Sequence, residues 1–367
     1  MEDLPTSTIV ALAGFAAGIL FGATANRTNF CTMGAVSDMV LMGDRGRFRA
    51  WLLAMAIAIL GSQTLHYFEI IDLKGSIYLT TNFGWLGAIL GGLLFGFGMT
   101  MAGGCANKNL VRIGGGNLKS IMVVLIMGIF AYMTVRGLTG LLRVELETFS
   151  NIDLSASNLE TQGMPDMLAA AVGMELETAR IVLTGLITAA LLIYCFKSAD
   201  FRASPLNISG GLIIGLLVTA GWGITGVVGF DDFEPTPLSS FTFVNPAGES
   251  IQYLMIFTGT KINFGIATVG GVIVGSFLMA LATRSFRIEA FQDKDDMLRH
   301  MFGAAIMGIG GVMSLGCTIG QGVTGMSTLA VGSLIALISI IIGGIMGMKY
   351  MEEGSLSGAI TALFSRT

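Results

Sequence analysis

Charge is scarce in this chain. Only 12% of its 367 residues are Asp, Glu, Lys or Arg, about half the roughly 25% usual in a soluble domain. That deficit argues against a soluble globular protein. Histidine is scarcer still: His66 and His300 are the only two, neither is near a cysteine in sequence, and both are expected in loops or at an interface. The four cysteines contain no CxxC pair and suggest neither a disulfide framework nor a zinc site; no metal or cofactor is expected. No nucleotide-binding motif appears, which argues against direct ATP coupling, and no nucleic-acid partner is expected. The start, Met1-Glu2-Asp3-Leu4-Pro5, lacks the basic region of a cleaved signal, so the first apolar segment is expected to stay as a helix.

What is present is apolar. Hydrophobic residues make up 53% of the chain and the mean hydropathy is +0.77. Runs close to the roughly 20 residues that cross a bilayer recur throughout: Ser7–Ala25, Ala50–Tyr67, Leu86–Ala102, Ile121–Leu138, Ala179–Phe196, Leu206–Val228, Gly265–Thr283, Met301–Ser314 and Ala330–Met348. The expectation is an all-α polytopic membrane protein of about nine transmembrane helices, embedded in a lipid bilayer. Basic connections around Arg27, Arg45, Arg47 and Arg49, around Lys108, Arg112 and Lys119, at Lys197 and Arg202, and from Arg284 to Arg299 alternate with acidic ones. The acidic ones hold Glu69 and Asp72, then Glu145 through Glu177, then Asp231, Asp232 and Glu234. Short basic loops stay cytoplasmic, so the N-terminus is expected outside and the C-terminus inside. The Gly140–Glu177 stretch is then external, with an interfacial helix over Asp166–Met174. It divides the chain into a first membrane repeat (1–140), an external linker (141–177) and a second repeat (178–367).

A repeat is visible in the residues themselves. Leu90–Cys105 aligns with Phe302–Cys317, placing Gly91, Gly96, Gly98 and Gly104 opposite Gly303, Gly308, Gly310 and Gly316. The segment ending at Cys31 fits more loosely. A fourth copy, Gly210–Gly229, keeps the glycines and has Gly229 in place of cysteine. The charge-derived topology inserts related segments in opposite directions, the inverted-repeat arrangement of many transporters. After each cysteine comes a piece too short to span: Thr32–Met42, Ala106–Ile113 and Thr318–Leu329. Such pieces read as re-entrant broken helices, whose N–H groups at membrane depth suit a small anion.

Most of the 52 glycines read as close helix packing. Cys195 reads as apolar filler. Cys31, Cys105 and Cys317 differ, because each holds the same place in a repeat at a break, and a thiol offers a soft, weak hydrogen bond. Candidate path residues are Cys31, Cys105, Cys317, Gly104, Gly316, Asn29, Asn107 and Gln321. Arg27 and Lys108 read either as anion attractors or as topological anchors. Met99, Met101 and Met313 read mainly as filler, and Trp51, Trp85 and Trp222 as interface anchors.

The segments Asn29–Asp38, Gly96–Cys105 and Gly308–Cys317 resemble the YeeE/YedE family of sulfur-compound transporters over about residues 10–348. The resemblance implies a thiosulfate uptake protein of the bacterial inner membrane with an hourglass-like inverted-repeat fold. It also implies a line of essential cysteines, corresponding to Cys31, Cys105 and Cys317, and a possible TusA-like cytoplasmic sulfur carrier as partner. The function expected is a permease for thiosulfate or a related small sulfur-containing anion, not an enzyme. The alternatives are a membrane thiol enzyme that handles sulfane sulfur through cysteine persulfides, and a transporter of selenium compounds.

Overall fold

A computed structural model describes residues 5–157, 159–231, 236–355 and 358. Asp232 and Glu234, part of the acidic pattern above, lie outside the described residues. Helices carry nearly all the regular structure. The first half runs α1 (Thr6–Thr28), a short α2 (Thr32–Ser37) continued as a π-turn over Asp38–Met42, α3 (Gly46–Tyr67), α4 (Trp85–Met101), a short α5 (Ala106–Gly114) and α6 (Leu118–Arg136). Then come α7 (Leu138–Ser150), α8 (Met164–Val172), α9 (Leu176–Phe196), α10 (Ala199–Arg202) and α11 (Pro205–Gly223), whose end is wound into a π-turn over Ile224–Val228. The chain finishes with α12 (Val244–Met255), α13 (Phe264–Ala282), α14 (Lys294–Met313) and α15 (Val331–Glu353), with a broken helix over 318–327 between the last two. A two-residue antiparallel pair, β1 (Asn82–Phe83) with β2 (Ile152–Asp153), ties the central stretch to the loop before α4.

Among the described residues, eight helices are long and apolar enough to cross a membrane. The protein is an all-α polytopic membrane protein. The ninth apolar run, Met301–Ser314, falls in α14. There the first turns carry Lys294, Asp295, Asp296, Arg299 and His300, which leaves too short an apolar remainder to qualify by itself. The three pieces read as broken are broken: α2 with its π-turn, α5, and the 318–327 helix.

The helix partners follow a symmetric order. α1 packs on α13 as α11 packs on α3, α4 packs on α15 as α14 packs on α6, and α4 crosses α14. Glycine makes these approaches possible. A Cβ at Gly98 would meet the Gly303 carbonyl and one at Gly91 the Gly310 carbonyl; one at Gly303 would meet the Gly98 carbonyl and one at Gly310 the Gly91 carbonyl. Aligned glycines therefore meet reciprocally, as in a contact about a local two-fold axis. Side chains there would force the α4–α14 backbones apart, and in lipid that lost packing has no hydrophobic compensation.

Two sequence expectations fail on burial. Trp51 and Trp222 are fully buried, not at an interface: the Trp51 ring packs where a Cβ on Gly322 would sit, and Trp222 Nε1 donates to Ser327 Oγ at 3.0 Å. Trp85, at the first position of α4, is half-buried. His300 is likewise buried within α14, because glycine at 103 leaves room for its ring.

Candidate substrate path

Each of the three cysteines follows the same local device. α1 ends with Asn29 left-handed (φ 54°), α4 with Gly103 (φ 69°) and α14 with Leu315 (φ 59°), each two residues before a cysteine. Each end carries paired capping bonds: Phe30 to Ala25 (3.1 Å) with Asn29 to Asn26 (3.4 Å), Gly104 to Met99 (2.8 Å) with Gly103 to Thr100 (3.1 Å), and Gly316 to Gly311 (2.7 Å) with Leu315 to Val312 (3.0 Å). This is the left-handed closure that satisfies the last carbonyls of a helix. At Cys31 and Cys105 the chain then turns extended, and each cysteine holds the N-cap position of the next, short helix, α2 and α5. Gly34 N donates to Cys31 Sγ at 3.4 Å and Gly320 N to Cys317 Sγ at 3.4 Å. Lys108 N stands in the equivalent place beside Cys105 Sγ, without a well-formed capping bond. With its sulfur turned to an N–H, a thiol keeps its S–H for another partner.

All four cysteines are buried and free. The Cys31 and Cys105 thiols are neighbours, each in electrostatic reach of the other. No CxxC pair joins them in sequence; the fold brings together the two N-cap cysteines of α2 and α5. On its other side Cys105 lies in reach of the Thr318 hydroxyl, short of a formed hydrogen bond, and Thr318 is the residue after Cys317. The Cys317 thiol in turn meets the Thr242 hydroxyl and the backbone N–H groups of Ile319, Gly320 and Phe243, with the buried Tyr78 phenol in electrostatic range. The contacts run Cys31, Cys105, Thr318–Cys317, Thr242, a continuous series of weakly polar side chains.

A cavity of about 420 Å³ opens beside the Cys31–Cys105 end, lined by Asn26, Lys108, Arg112, Lys119, Arg287 and His300 among others. Lys108 Nζ donates to Asn29 Oδ1, and Arg112 Nη1 donates to the Gly103 carbonyl at 2.6 Å. Below α2, Arg47 pairs with the buried Asp38, holding the π-turn to α3. Beside Cys317 lie two further cavities of about 300 and 370 Å³. Gln321 and Ser314 line the first; Gly316 and Thr242 line the second.

Five of the buried polar atoms without a hydrogen-bond partner lie on the broken helices: both amide atoms of Asn107, the hydroxyls of Thr32 and Thr318, and Oε1 of Gln321. Gln321 Nε2 is already taken by the Ser314 carbonyl. An unsatisfied buried polar atom costs about 1–3 kcal/mol, so these atoms suit a polar occupant. Gly104 is buried against the Lys108 stem, and its carbonyl is held by Asn109 Nδ2 at 2.8 Å. Asn29 is exposed, as is Arg27, which lines none of these cavities. Met313 lines a cavity, while Met99 and Met101 are buried. Cys195 donates to the Arg49 carbonyl at 3.3 Å, away from the path. Sequence reasoning missed Thr318 and Thr242. The first had a signal, since Thr follows Cys317 as it follows Cys31. The second did not: register had placed Gly229 opposite the cysteines, but Gly229 sits at the end of a π-turn with φ −85° and no left-handed closure. Thr242, not Gly229, meets Cys317.

Residues 27–346 match the model of a family described as sulphur transport. The chain is 26% identical over 324 residues to a protein of Escherichia coli (strain K12) named thiosulfate transporter TsuA, covering 85% of this chain and 86% of that one. It is 24% identical over 321 residues to a protein of the same name from Spirochaeta thermophila, covering 86% of this chain and 91% of that one. A shorter match, 33% over 97 residues, is to the probable transporter YedE of Escherichia coli, covering 26% of this chain and 22% of that one. Buried thiols at helix breaks in a polytopic fold thus coincide with a family match over most of the length, and the chain belongs to the sulphur transport family.

Proposed function

We propose that this protein is a permease that imports thiosulfate, or a closely related sulfur oxyanion, along the line of Cys31, Cys105 and Cys317. The observation that carries the reading is the series of contacts from Cys31 through Cys105 and Thr318–Cys317 to Thr242, with a basic cavity at one end. A dianion at membrane depth needs partners, yet a full cation in mid-path would trap it. Conduction requires sites that bind enough to admit the ion and little enough to release it. Thiol S–H groups, the Thr318 hydroxyl and the Asn107 amide are neutral, weak donors of that kind. Lys108 and Arg112 lie beside one end and draw the anion onward. Asn29 holds the Lys108 ammonium, Gln321 lines the opposite mouth, and the Gly104 and Gly316 backbones border the thiols.

The protein lies in the bacterial inner membrane with its N-terminus outside, so the Cys317 mouth faces outward and the Lys108 mouth faces the cytoplasm. The halves 1–140 and 178–367 act as inverted repeats about the α4–α14 crossing, joined by the 141–177 linker. A TusA-like sulfur carrier receives the product at the basic mouth. The test is uptake of labelled thiosulfate by vesicles holding the purified protein, followed by intact-mass measurement. Saturable uptake without a sulfur adduct supports the reading. A trapped persulfide on any of the three cysteines, or no uptake, contradicts it.

A further inference from the structure

The two cavities beside Cys317 share one basic residue. Arg143 lines both, as do Ile77 and Leu315, and no other Lys, Arg or His lines either among the described residues. It sits on α7, inside the stretch whose sequence reads as acidic. Its Nη1 donates to both carboxylate oxygens of Glu147 at 2.8 and 3.0 Å, and its Nε to the Thr134 carbonyl at 3.0 Å. Nη2 makes no hydrogen bond to the described residues, and the side chain keeps 22% of its exposure. The other carboxylate of these cavities, Glu249, is already held by the amides of Asn245 and Asn263 at 2.7 Å each.

We propose that Arg143 is the site that captures a divalent sulfur oxyanion at the Cys317 mouth, and that Glu147 is its resident counter-ion, displaced when the oxyanion arrives. This rests on the transport reading above. A guanidinium presents a planar fork that matches carboxylate and tetrahedral oxyanion alike. A partly exposed pair four residues apart on one helix is weak, so a dianion with two charges and more acceptor oxygens competes for the fork. The thiols beyond read softness, not charge. Arg143 supplies the charge selection they lack, and it passes the ion to Gly316 and Thr242, which line the same cavity.

Initial uptake rates of labelled thiosulfate into vesicles separate capture from a merely structural role, since Arg143 also pins α7 to the end of α6. Arg143→Gln should raise KM about tenfold or more with Vmax within about twofold, and Arg143→Lys should recover part of the loss. Glu147→Gln should lower KM about threefold, because it removes the competitor. A structural staple predicts the opposite for Glu147→Gln, an unchanged or raised KM. That result, or a wild-type KM in Arg143→Gln, overturns the assignment. If Arg143→Gln fails to fold, Glu147→Gln decides alone. No uptake by the wild-type protein overturns the transport reading and this assignment with it.

Discussion

The two ends of the thiol series are built from one device and furnished differently. At one end Cys31 and Cys105 meet as a pair, beside a cavity lined by Lys108, Arg112, Lys119 and Arg287. At the other, Cys317 meets the hydroxyl of Thr242, with Tyr78 close by and a single arginine in the cavities beyond. The left-handed closure, the extended cysteine and the short helix fix where a sulfur sits; the residues around it fix what that sulfur can do. The sulfur positions are alike while the cations around them are not: Arg143 alone lines the cavities at the Cys317 end, against several basic residues at the other.

Breaking the centre should cost most. Cys105 touches the series on both sides, so Cys105→Ala is expected to cut thiosulfate uptake at least about tenfold, equivalent to roughly 1.4 kcal/mol in the rate-limiting barrier, measured in vesicles at matched protein content. A rate close to wild type would show that the ends do not communicate through this thiol. Next, Lys108→Gln removes the charge nearest the thiol pair and should slow uptake about fivefold, with less salt dependence than the wild type. An unaltered rate and salt response would make the basic cavity a topological feature only.

A gain-of-pair experiment tests the Cys317 end. Thr242→Cys should give the Cys317 end a second adjacent pair, with uptake within about twofold of wild type, since one weak donor replaces another. After mild oxidation and denaturation, thiol titration should show two pairs lost where the wild type loses one. Loss of only one pair would mean that Thr242 does not stand where the two-fold order puts it. The smallest effect is expected at Leu315, a non-glycine residue in the left-handed region where α4 uses Gly103. Leu315→Gly should relieve up to about 1 kcal/mol of backbone strain, read as a modest rise in thermal midpoint with uptake little changed. A fall would mean that the Leu315 side chain, which lines both cavities, contributes more than the strain costs.

The breaks after Cys31, Cys105 and Cys317 were legible in the sequence because local physics writes them. Each is an apolar run closed at a cysteine and followed by a piece too short to span. Glycine packing was legible for the same reason, since small residues at helical spacing have one main use in lipid. What comes from the assembled halves was not. Cys31 and Cys105, the N-cap residues of α2 and α5, become neighbours only in the assembled fold. Thr242 shares neither residue type nor register with the cysteines. Arg143 was hidden by the acidic composition around it, because averaging charge over a stretch loses the one guanidinium that the fold points into two cavities. Trp51 and Trp222 were misread for a related reason: an indole near a helix end suits an interface, but both rings are enclosed by other helices.

On the proposed path three matched thiols, and not the fourth, carry the anion. Labelled thiosulfate flux into vesicles, measured for Cys31→Ala, Cys105→Ala and Cys317→Ala beside Cys195→Ala, tests it most directly. Each of the first three should lose most of the flux while Cys195→Ala keeps it; wild-type flux in all four would show that the thiols are not the path.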